Sequence, residues 1–401
     1  MKIIYFTQFF KPENIAPAFR AYDNAINWKN MGHEVTIFTG YPNYPVGKIF
    51  DGYNAKLYSE EKIDGIRVIR SKLVARPNTS IVRRLVNMFS YFFFGLINVL
   101  FNRKIGKDYD VVLGTSGLIF NALLAWIYAK MHRKRFVFEI RDITYRQLIA
   151  TGKSEKSMGV KVMRGLELFL CKKAKRVVVV TEGFKKELAM AGIDPDKIVV
   201  LTNGVNEVSL HEHRFDQGVV FSYMGTLGLS QDIPGSIDYI GELKKHCDNI
   251  KYLIIGEGAT KGQIVSRVND DRLDYVKVMN GMSMDELEKY YDETNMSVVT
   301  LKKSDDFKYT IPSKIFQCMG RGIPVLFIGP EGEAADIIRK NNAGIALTKD
   351  TRDDVRELVS FFSQDDYKEK LCKMGENGYN VAKEKYTRKK IAERYIDVLK
   401  G

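Results

Sequence analysis

Short uninterrupted apolar runs alternate with longer stretches of helical periodicity along the whole chain. Residues 2–6 lead through a polar loop, 7–14, into a helical segment over about 16–31, and Gly32-His33-Glu34 turns into a second apolar run, 35–38. This strand–loop–helix–strand order opens a right-handed βαβ unit. The alternation continues with an apolar run at 111–113, a helix over about 118–131, a strand at 136–140 and the four-valine run 177–180. Continuous Val, Ile and Leu runs mark parallel strands buried on both faces.

The pattern restarts after a polar, linker-like stretch, 211–218. Strands are predicted at 219–224, 252–255, 296–301 and 324–328. Helices are predicted at about 233–246, 283–293 and 315–320, with a charged closing helix at 387–399. The fold class is therefore α/β, with two successive doubly wound domains.

One segment breaks this rhythm. Residues 85–101, LVNMFSYFFFGLINVLF, carry no charge and are flanked by Arg83-Arg84 and Arg103-Lys104. Asn87, Ser90, Tyr91 and Asn98 recur at helical spacing as a narrow polar stripe. An amphipathic helix lying in a membrane interface fits this pattern. A buried helix of the first domain and a short membrane span also fit.

A length of 401 residues suits two domains, and 45% apolar with 28% charged residues excludes wholesale disorder and a polytopic membrane protein. The net charge of +13 is unevenly placed. Residues 1–200 carry 33 basic and 17 acidic side chains, net +16, whereas residues 201–401 are net −3. Such asymmetry points to a polyanionic partner for the first half: an anionic membrane surface, a phosphorylated substrate or nucleic acid. No nucleic-acid-binding motif supports the last, so no nucleic-acid partner is expected. Cys171, Cys247, Cys318 and Cys372 have neither disulfide-framework nor zinc spacing. His211 and His213 read as surface residues. The first residues lack the pattern of a signal peptide, and a cytoplasmic location is expected.

In doubly wound sheets, ligands bind beyond the carboxyl ends of the strands. In the second half these ends carry Gly225-Thr226-Leu227-Gly228, Gly256-Glu257-Gly258 and Pro312-Ser313-Lys314 at a helix start. Glycines admit a phosphate close to the backbone, and a helix N-terminus offers free N–H groups. Ser313 is a candidate N-cap and Lys314 a point charge for a phosphate. In the first half, Arg141-Asp142 follows a strand. The loop Lys11-Pro12-Glu13-Asn14 and Asn43 in YPNYP follow two others.

The run IPSKIFQCMGRGIPVL resembles the donor-site helix of the retaining nucleotide-sugar transferases of glycosyltransferase family 4. GHEVTIFTGYPNYPVGK, FEIRDI, LTNGVN, YMGTLG and IIGEG resemble further parts of that family in the same order, over roughly residues 1–345. The nearest likeness is to bacterial fucosamine- or fucosyltransferase-like enzymes of O-antigen, capsule or exopolysaccharide synthesis. The resemblance implies a GT-B fold: two Rossmann-like domains with an inter-domain cleft. Residues 1–210 would bind the acceptor and 211–385 the donor, with a C-terminal helix, 386–401, packing back on the first.

The same resemblance implies site residues. Asp142, Arg141 and Lys314 would be catalytic. Gly225, Thr226, Gln231, Gly256, Glu257, Ser313 and Gln317 would bind the donor. Glu13, Asn14 and Asn43 would face the acceptor. The family's acidic pair is replaced by Tyr309 and Gln317, and its basic pair by Thr226 and Gln231; Lys308 or Arg321 could assist Lys314. No DxD-type pair stands at a strand end, so neither metal nor cofactor is expected. The implied partners are a nucleotide-sugar donor, with UDP favoured, a polyprenyl-diphosphate-linked saccharide acceptor, and an anionic membrane surface reached through Arg83–Lys104 from the cytoplasmic side. A nucleotide-sugar 2-epimerase and a degenerate, non-catalytic nucleotide-sugar binder are the alternative readings.

Overall fold

The computed structural model describes the chain except Pro45, residues 78–80, 151, 152, 207 and 217, and the side chains of Ala16, Ile81, Val82, Arg84 and Ala150. The described chain divides into two compact units, Met1–Thr202 with Ile391–Gly401, and Asn203–Lys390.

The first unit is built on eight strands: β1 (Lys2–Phe6), β2 (Glu34–Gly40), β3 (Tyr58–Ile63), β4 (Ile66–Ser71), β5 (Val111–Thr115), β6 (Arg135–Ile140), β7 (Arg176–Val179) and β8 (Ile198–Val200). Their order is β3-β4-β2-β1-β5-β6-β7-β8. Every pair is parallel except β3–β4. That hairpin turns at Asp64-Gly65, both at positive φ (51° and 77°), where Asp-Gly is favoured. The helices are α1 (Ala16–Asn30), α2 (Ile81–Phe101), α3 (Ile119–Met131), α4 (Thr144–Ala150), α5 (Met158–Lys173) and α6 (Glu182–Met190). Helices α2, α3 and α5 cover one sheet face through a core that includes Phe6, Phe38, Phe138 and Tyr91.

The second unit has six parallel strands: β9 (Val219–Met224), β10 (Ile250–Ile255), β11 (Val276–Met279), β12 (Met296–Thr300), β13 (Val325–Ile328) and β14 (Gly344–Leu347). Its order, β11-β10-β9-β12-β13-β14, is that of a dinucleotide-type doubly wound sheet. Helices α7 (Ile233–Lys244), α8 (Lys261–Asp270), α9 (Met284–Glu293), α10 (Ser313–Gly320), α11 (Glu333–Lys340), α12 (Thr351–Phe362) and α13 (Tyr367–Val381) connect and flank the strands. The last helix, α14 (Arg388–Lys400), brings the chain back to the first unit. There Trp28 donates to the Ala392 carbonyl at 3.3 Å, and its ring meets Tyr395 edge-on at 5.1 Å.

The unit boundary falls at 202/203 rather than at the expected 210/211. Val205 N–H bonds Tyr386 O, Ser209 N–H bonds Gly320 O and His211 N–H bonds Arg321 O, so the stretch after 202 is fastened to the second unit. His211 and His213 are not open surface residues. Both are half-buried; His213 Nε2 lies 2.9 Å from Gly322 O, and burial lowers its pKa.

Helix α2 is amphipathic, with its polar stripe turned inward and an apolar face outward. Tyr91 and Asn98 are buried. Asn98 donates to Leu57 O (2.7 Å) and Ser71 Oγ (3.0 Å), and Ser90 Oγ accepts from Val74 N–H. The polar stripe thus satisfies loop groups beneath the helix. The outward face carries Leu85, Val86, Phe89, Phe93, Leu100 and Phe101. Among the described residues no helix is long and apolar enough to cross a membrane. Arg84, expected at this helix's basic flank, has its side chain outside the described residues.

Candidate functional site

Strand order reverses at β9/β12 in the second unit and at β1/β5 in the first. These switch points are where loops part and ligands enter. Each unit carries a candidate site there.

In the second unit, the loops after β9 and β10 pack backbone to backbone. Gly225 N–H bonds Ile255 O and Leu227 N–H bonds Glu257 O, both at 2.8 Å. A β-carbon on Gly256 would sit 1.8 Å from Gly225 O. Gly256 is therefore required by loop-to-loop packing, whether or not a phosphate approaches it. Gly225 (φ 142°) faces a side chain instead, since its β-carbon would lie 2.4 Å from Lys314 Cε.

Lys314 stands in the first turn of α10, whose leading N–H groups have no intrahelical acceptor. Its Nζ donates to Tyr223 Oη at 3.3 Å and lies 4.9 Å from that ring's centroid. Tyr223 is buried and fixed by its own bond to Thr226 O at 2.6 Å. No carboxylate pairs with Lys314 among the described residues, and burial lowers its pKa. The arrangement is a cation held ready for an anion beside a helix N-terminus and a glycine turn.

The other residues expected on the donor side divide. Ser313 is not the cap: Pro312 occupies that position without a side-chain bond, and Ser313 is the exposed first helical residue. The extended backbone of Pro312 (ψ 128°) starts the helix one residue earlier than a Ser313 cap would. Glu257 accepts from Lys261 Nζ (2.7 Å) and Gly281 N–H (3.1 Å), which hold its carboxyl pKa below normal. Thr226 is exposed, and the Gln231 side chain lies over Gly228. Gln317 is half-buried on α10, one turn beyond Lys314. Lys308 and Arg321 do not supplement Lys314 as free charges. Lys308 lies 3.7 Å from Asp305, and Arg321 pairs with Glu288 and stacks on Tyr291.

In the first unit, the ends of β5 and β6 are joined through Ser116. Its Oγ accepts from Arg141 N–H at 2.8 Å, and its carbonyl accepts from the Arg141 guanidinium at 3.0 Å. Gly117 (φ 120°) has no room for a side chain, because its β-carbon would meet Arg141 Nη2 at 2.5 Å. The buried Arg141 Nε has no protein partner. Asp142 projects outward, and desolvation by its surroundings raises its pKa against the opposing charge of Arg141. Two residues earlier, buried Glu139 accepts from Tyr5 (2.8 Å) and Arg20 (2.9 Å), which fixes the strand that carries Arg141-Asp142.

The loops after β1 and β2 form a second cluster. Glu13 is buried; its Oε1 accepts from Asn43 N–H (2.9 Å) and Tyr44 N–H (3.0 Å), while Oε2 has no partner and burial raises the pKa. Asn43 Oδ1 accepts from Asn87 of α2 at 2.9 Å, and Asn87 in turn accepts from Gln8 at 3.0 Å. Asn14 is exposed, apart from this network. Buried Arg70 donates to Lys11 O at 2.6 Å and holds the loop in place. Ser116, Gly117 and Tyr223 escaped the sequence reading. The run Gly114-Thr115-Ser116-Gly117 at the end of an apolar strand is the signal that marks the first two. Among the described residues no group of three His, Cys, Asp or Glu side chains is placed to hold a metal ion.

Residues 17–204 match the family model described as a glycosyl transferase 4-like domain. WcaI of Escherichia coli (strain K12), whose name assigns it to colanic acid biosynthesis as a glycosyl transferase, is 21% identical over 251 residues. The match spans 58% of this chain and 60% of WcaI. Anabaena HepE, solved with UDP, is 14% identical with a TM-score of 0.67, covering 100% of both chains. Sucrose-phosphate synthase of Thermosynechococcus elongatus is 13% identical with a TM-score of 0.71, covering 100% of this chain and 98% of that one. The fold is GT-B, and the matching domain supports a glycosyltransferase.

Proposed function

We propose that the protein is a retaining glycosyltransferase of bacterial surface polysaccharide synthesis. It moves a sugar from a nucleoside diphosphate sugar, UDP favoured, to a saccharide carried on polyprenyl diphosphate. The observation that carries this reading is Lys314: a half-buried cation without a carboxylate partner among the described residues, at a helix start beside Gly225. The HepE structure with UDP and the name of WcaI support a UDP-type donor and a polysaccharide context.

In the reaction, the bond between the anomeric carbon and the diphosphate oxygen breaks, and its electron pair leaves with the diphosphate. The acceptor hydroxyl oxygen bonds to the same face of that carbon, and its proton passes to the leaving phosphate. Lys314 and the first N–H groups of α10 stabilise the charge developing on the diphosphate, so the chain itself supplies the positive charge and no metal is required. Gln317 hydrogen-bonds the ribose. Asp142, oriented through Arg141 and Ser116, accepts a hydrogen bond from a sugar hydroxyl. Glu13 and Asn43 line the acceptor side. The protein works peripherally at an anionic cytoplasmic membrane face, where the outward apolar face of α2 meets the lipid that carries the acceptor.

A degenerate nucleotide-sugar binder is the second reading. It is favoured by the pairing of Lys308 with Asp305 and of Arg321 with Glu288, which leaves neither as a free charge to assist Lys314. The deciding experiment is thermal shift with UDP, GDP and TDP, with and without magnesium, followed by release of free diphosphate from the matching nucleotide sugar. Stabilisation by one diphosphate without magnesium, together with acceptor-dependent release, supports the transferase. Stabilisation without release supports the binder, and no stabilisation by any diphosphate defeats both.

A further inference from the structure

A groove of about 580 Å³ opens between the C-terminal ends of α3 and α5, at the start of β6. It lies at the opposite end of β6 from Arg141-Asp142, a six-residue strand or roughly 20 Å away, so it is not part of the first unit's candidate site described above. Lys130, Arg133 and Lys134 line it from the end of α3, and Lys172, Lys173 and Lys175 from the end of α5. Arg135 and Lys197 complete it. No carboxylate lines the groove, and among the described residues none of these cations forms an ion pair.

Helix C-termini attract cations, which accounts for Lys130, Lys172 and Lys173. Arg133, Lys134 and Lys175 lie beyond the helix ends, where that explanation stops. Arg135 is spent on the carbonyls of Leu399 and Lys400, and Lys197 on Lys172 O. The others have no ion-pair partner among the described residues: Lys130 and Lys173 lie over aromatic rings, and the charge of Lys134 is felt by Asp108, whose carboxyl pKa it helps to lower. Close by, His132 has its pKa lowered by burial and by the charges of Lys107 and Lys134, as a net positive field requires. Like charges gathered in this way repel one another unless a multivalent anion joins them.

The aromatic content of the groove narrows the class of anion. Trp126 and Phe136 line the groove; Trp126 meets Phe169 behind it edge-on at 5.0 Å, and Lys130 and Lys173 lie over the Trp126 and Phe169 rings at 5.2 and 5.7 Å. Amphipathic aromatics beside Lys and Arg are the composition of a membrane headgroup belt. The surrounding helix layer is continuous, α2 on α3 and α3 on α5. Its exposed residues include Phe93 and Phe101 of α2, Met131 of α3, and Met158 and Val162 of α5.

We propose that this α3–α5 groove is a second anion site that takes the phosphate groups of anionic lipid headgroups while the apolar residues of the layer enter the interface. It adds a headgroup contact remote from α2, and it rests on the membrane-bound acceptor of the preceding section. Two separated contacts fix the orientation of the first unit on the surface, which one helix alone does not.

The test is flotation of the full chain with phosphatidylcholine vesicles, with and without phosphatidylglycerol. Wild type is compared with a quadruple variant, Lys130→Gln, Lys134→Gln, Lys172→Gln and Lys173→Gln. A matching quadruple Lys→Arg variant is the control for folding and charge. Each basic side chain near an anionic surface is worth roughly a fivefold factor, so the Gln variant should lose at least about tenfold in affinity for anionic vesicles. The Arg variant should retain wild-type affinity, and phosphatidylcholine binding should not change. Equal binding of wild type and Gln variant to anionic vesicles would overturn the proposal. So would a groove-dependent complex with soluble inorganic polyphosphate or RNA in the absence of vesicle binding. UDP thermal shift is run in parallel. Its failure in wild type with vesicle binding intact counts against the donor site alone.

Discussion

Gly225 and Lys314 occupy one another's space: a β-carbon on the glycine would lie 2.4 Å from Lys314 Cε. The glycine therefore makes room for the lysine, and the lysine is what a donor diphosphate would meet. Lys314→Ala should abolish stabilisation by UDP and lower turnover by about 10²-fold or more, the usual cost of removing one preorganised charge from a transition state. Gly225→Ala should weaken UDP binding by displacing Lys314, with the fold intact. Because burial lowers the Lys314 pKa and a bound diphosphate raises it again, UDP affinity should fall as pH rises through the alkaline range. Titration of wild type and Lys314→Arg checks this; equal alkaline slopes in the two would remove Lys314 from the donor site.

Ser116, not named by the sequence reading, is the residue that holds Arg141. Ser116→Ala should lower kcat while leaving UDP stabilisation unchanged, because it acts on the first unit alone. Asp142→Ala should reproduce that pattern with a larger loss, of order 10²-fold if it contacts the reacting sugar. Gly117→Ala should also disturb Arg141, since it adds a clash at 2.5 Å to a residue at φ 120°. The readout is a split between donor binding and turnover. Loss of UDP binding in Ser116→Ala would contradict this division of labour.

These positions also show what the sequence could and could not disclose. Continuous apolar runs reveal buried parallel strands, so the strand ends carrying Gly225, Gly256 and Arg141 were legible. Lys314 was legible because it follows a proline at a helix start. The partners of the polar stripe on α2 were not. Periodicity reports that Asn87, Ser90, Tyr91 and Asn98 share a face, but not whether water or loop backbone satisfies them. Here Leu57 O and Ser71 satisfy Asn98, Val74 N–H meets Ser90, Gln8 and Asn43 meet Asn87, and the buried Tyr91 hydroxyl has no protein partner, so the polar face turns inward. Ser313 was misread because Pro312 takes the cap conformation. The hairpin at Asp64-Gly65 was legible in its dipeptide and in the alternation before it, a period-2 signal lost among the continuous runs.

The outward face of α2 gives a membrane prediction with a clean choice of residues. Phe93 is 58% exposed and Phe101 is 77% exposed. Phe92, by contrast, packs on Phe120 at 4.9 Å and belongs to the core. Phe93→Ser with Phe101→Ser should therefore reduce vesicle binding, including binding to neutral phosphatidylcholine, with little change in melting temperature. Phe92→Ser should lower the melting temperature by opening a cavity. Unchanged vesicle binding in the double variant would exclude α2 as the lipid contact.

Glu167 makes the pH dependence of stability testable. It is buried on α5, its Oε1 accepts from Thr144 N–H (3.1 Å) and Oγ1 (3.0 Å), and its Oε2 has no partner. Desolvation pushes its pKa up to about 7. The folded state thus holds a proton that the unfolded chain releases near pH 4.3. Stability from this group is fully present below that pH and declines as pH rises toward 7, where the folded carboxyl ionises. A shift of that size corresponds to roughly 4 kcal/mol at most lost above pH 7, at about 1.4 kcal/mol per pH unit. Glu167→Gln keeps an acceptor for Thr144 and carries no charge. It should raise the melting temperature at pH 8 and leave it nearly unchanged at pH 5. A variant that destabilises equally at both pH values would show that Glu167 stays ionised in the fold.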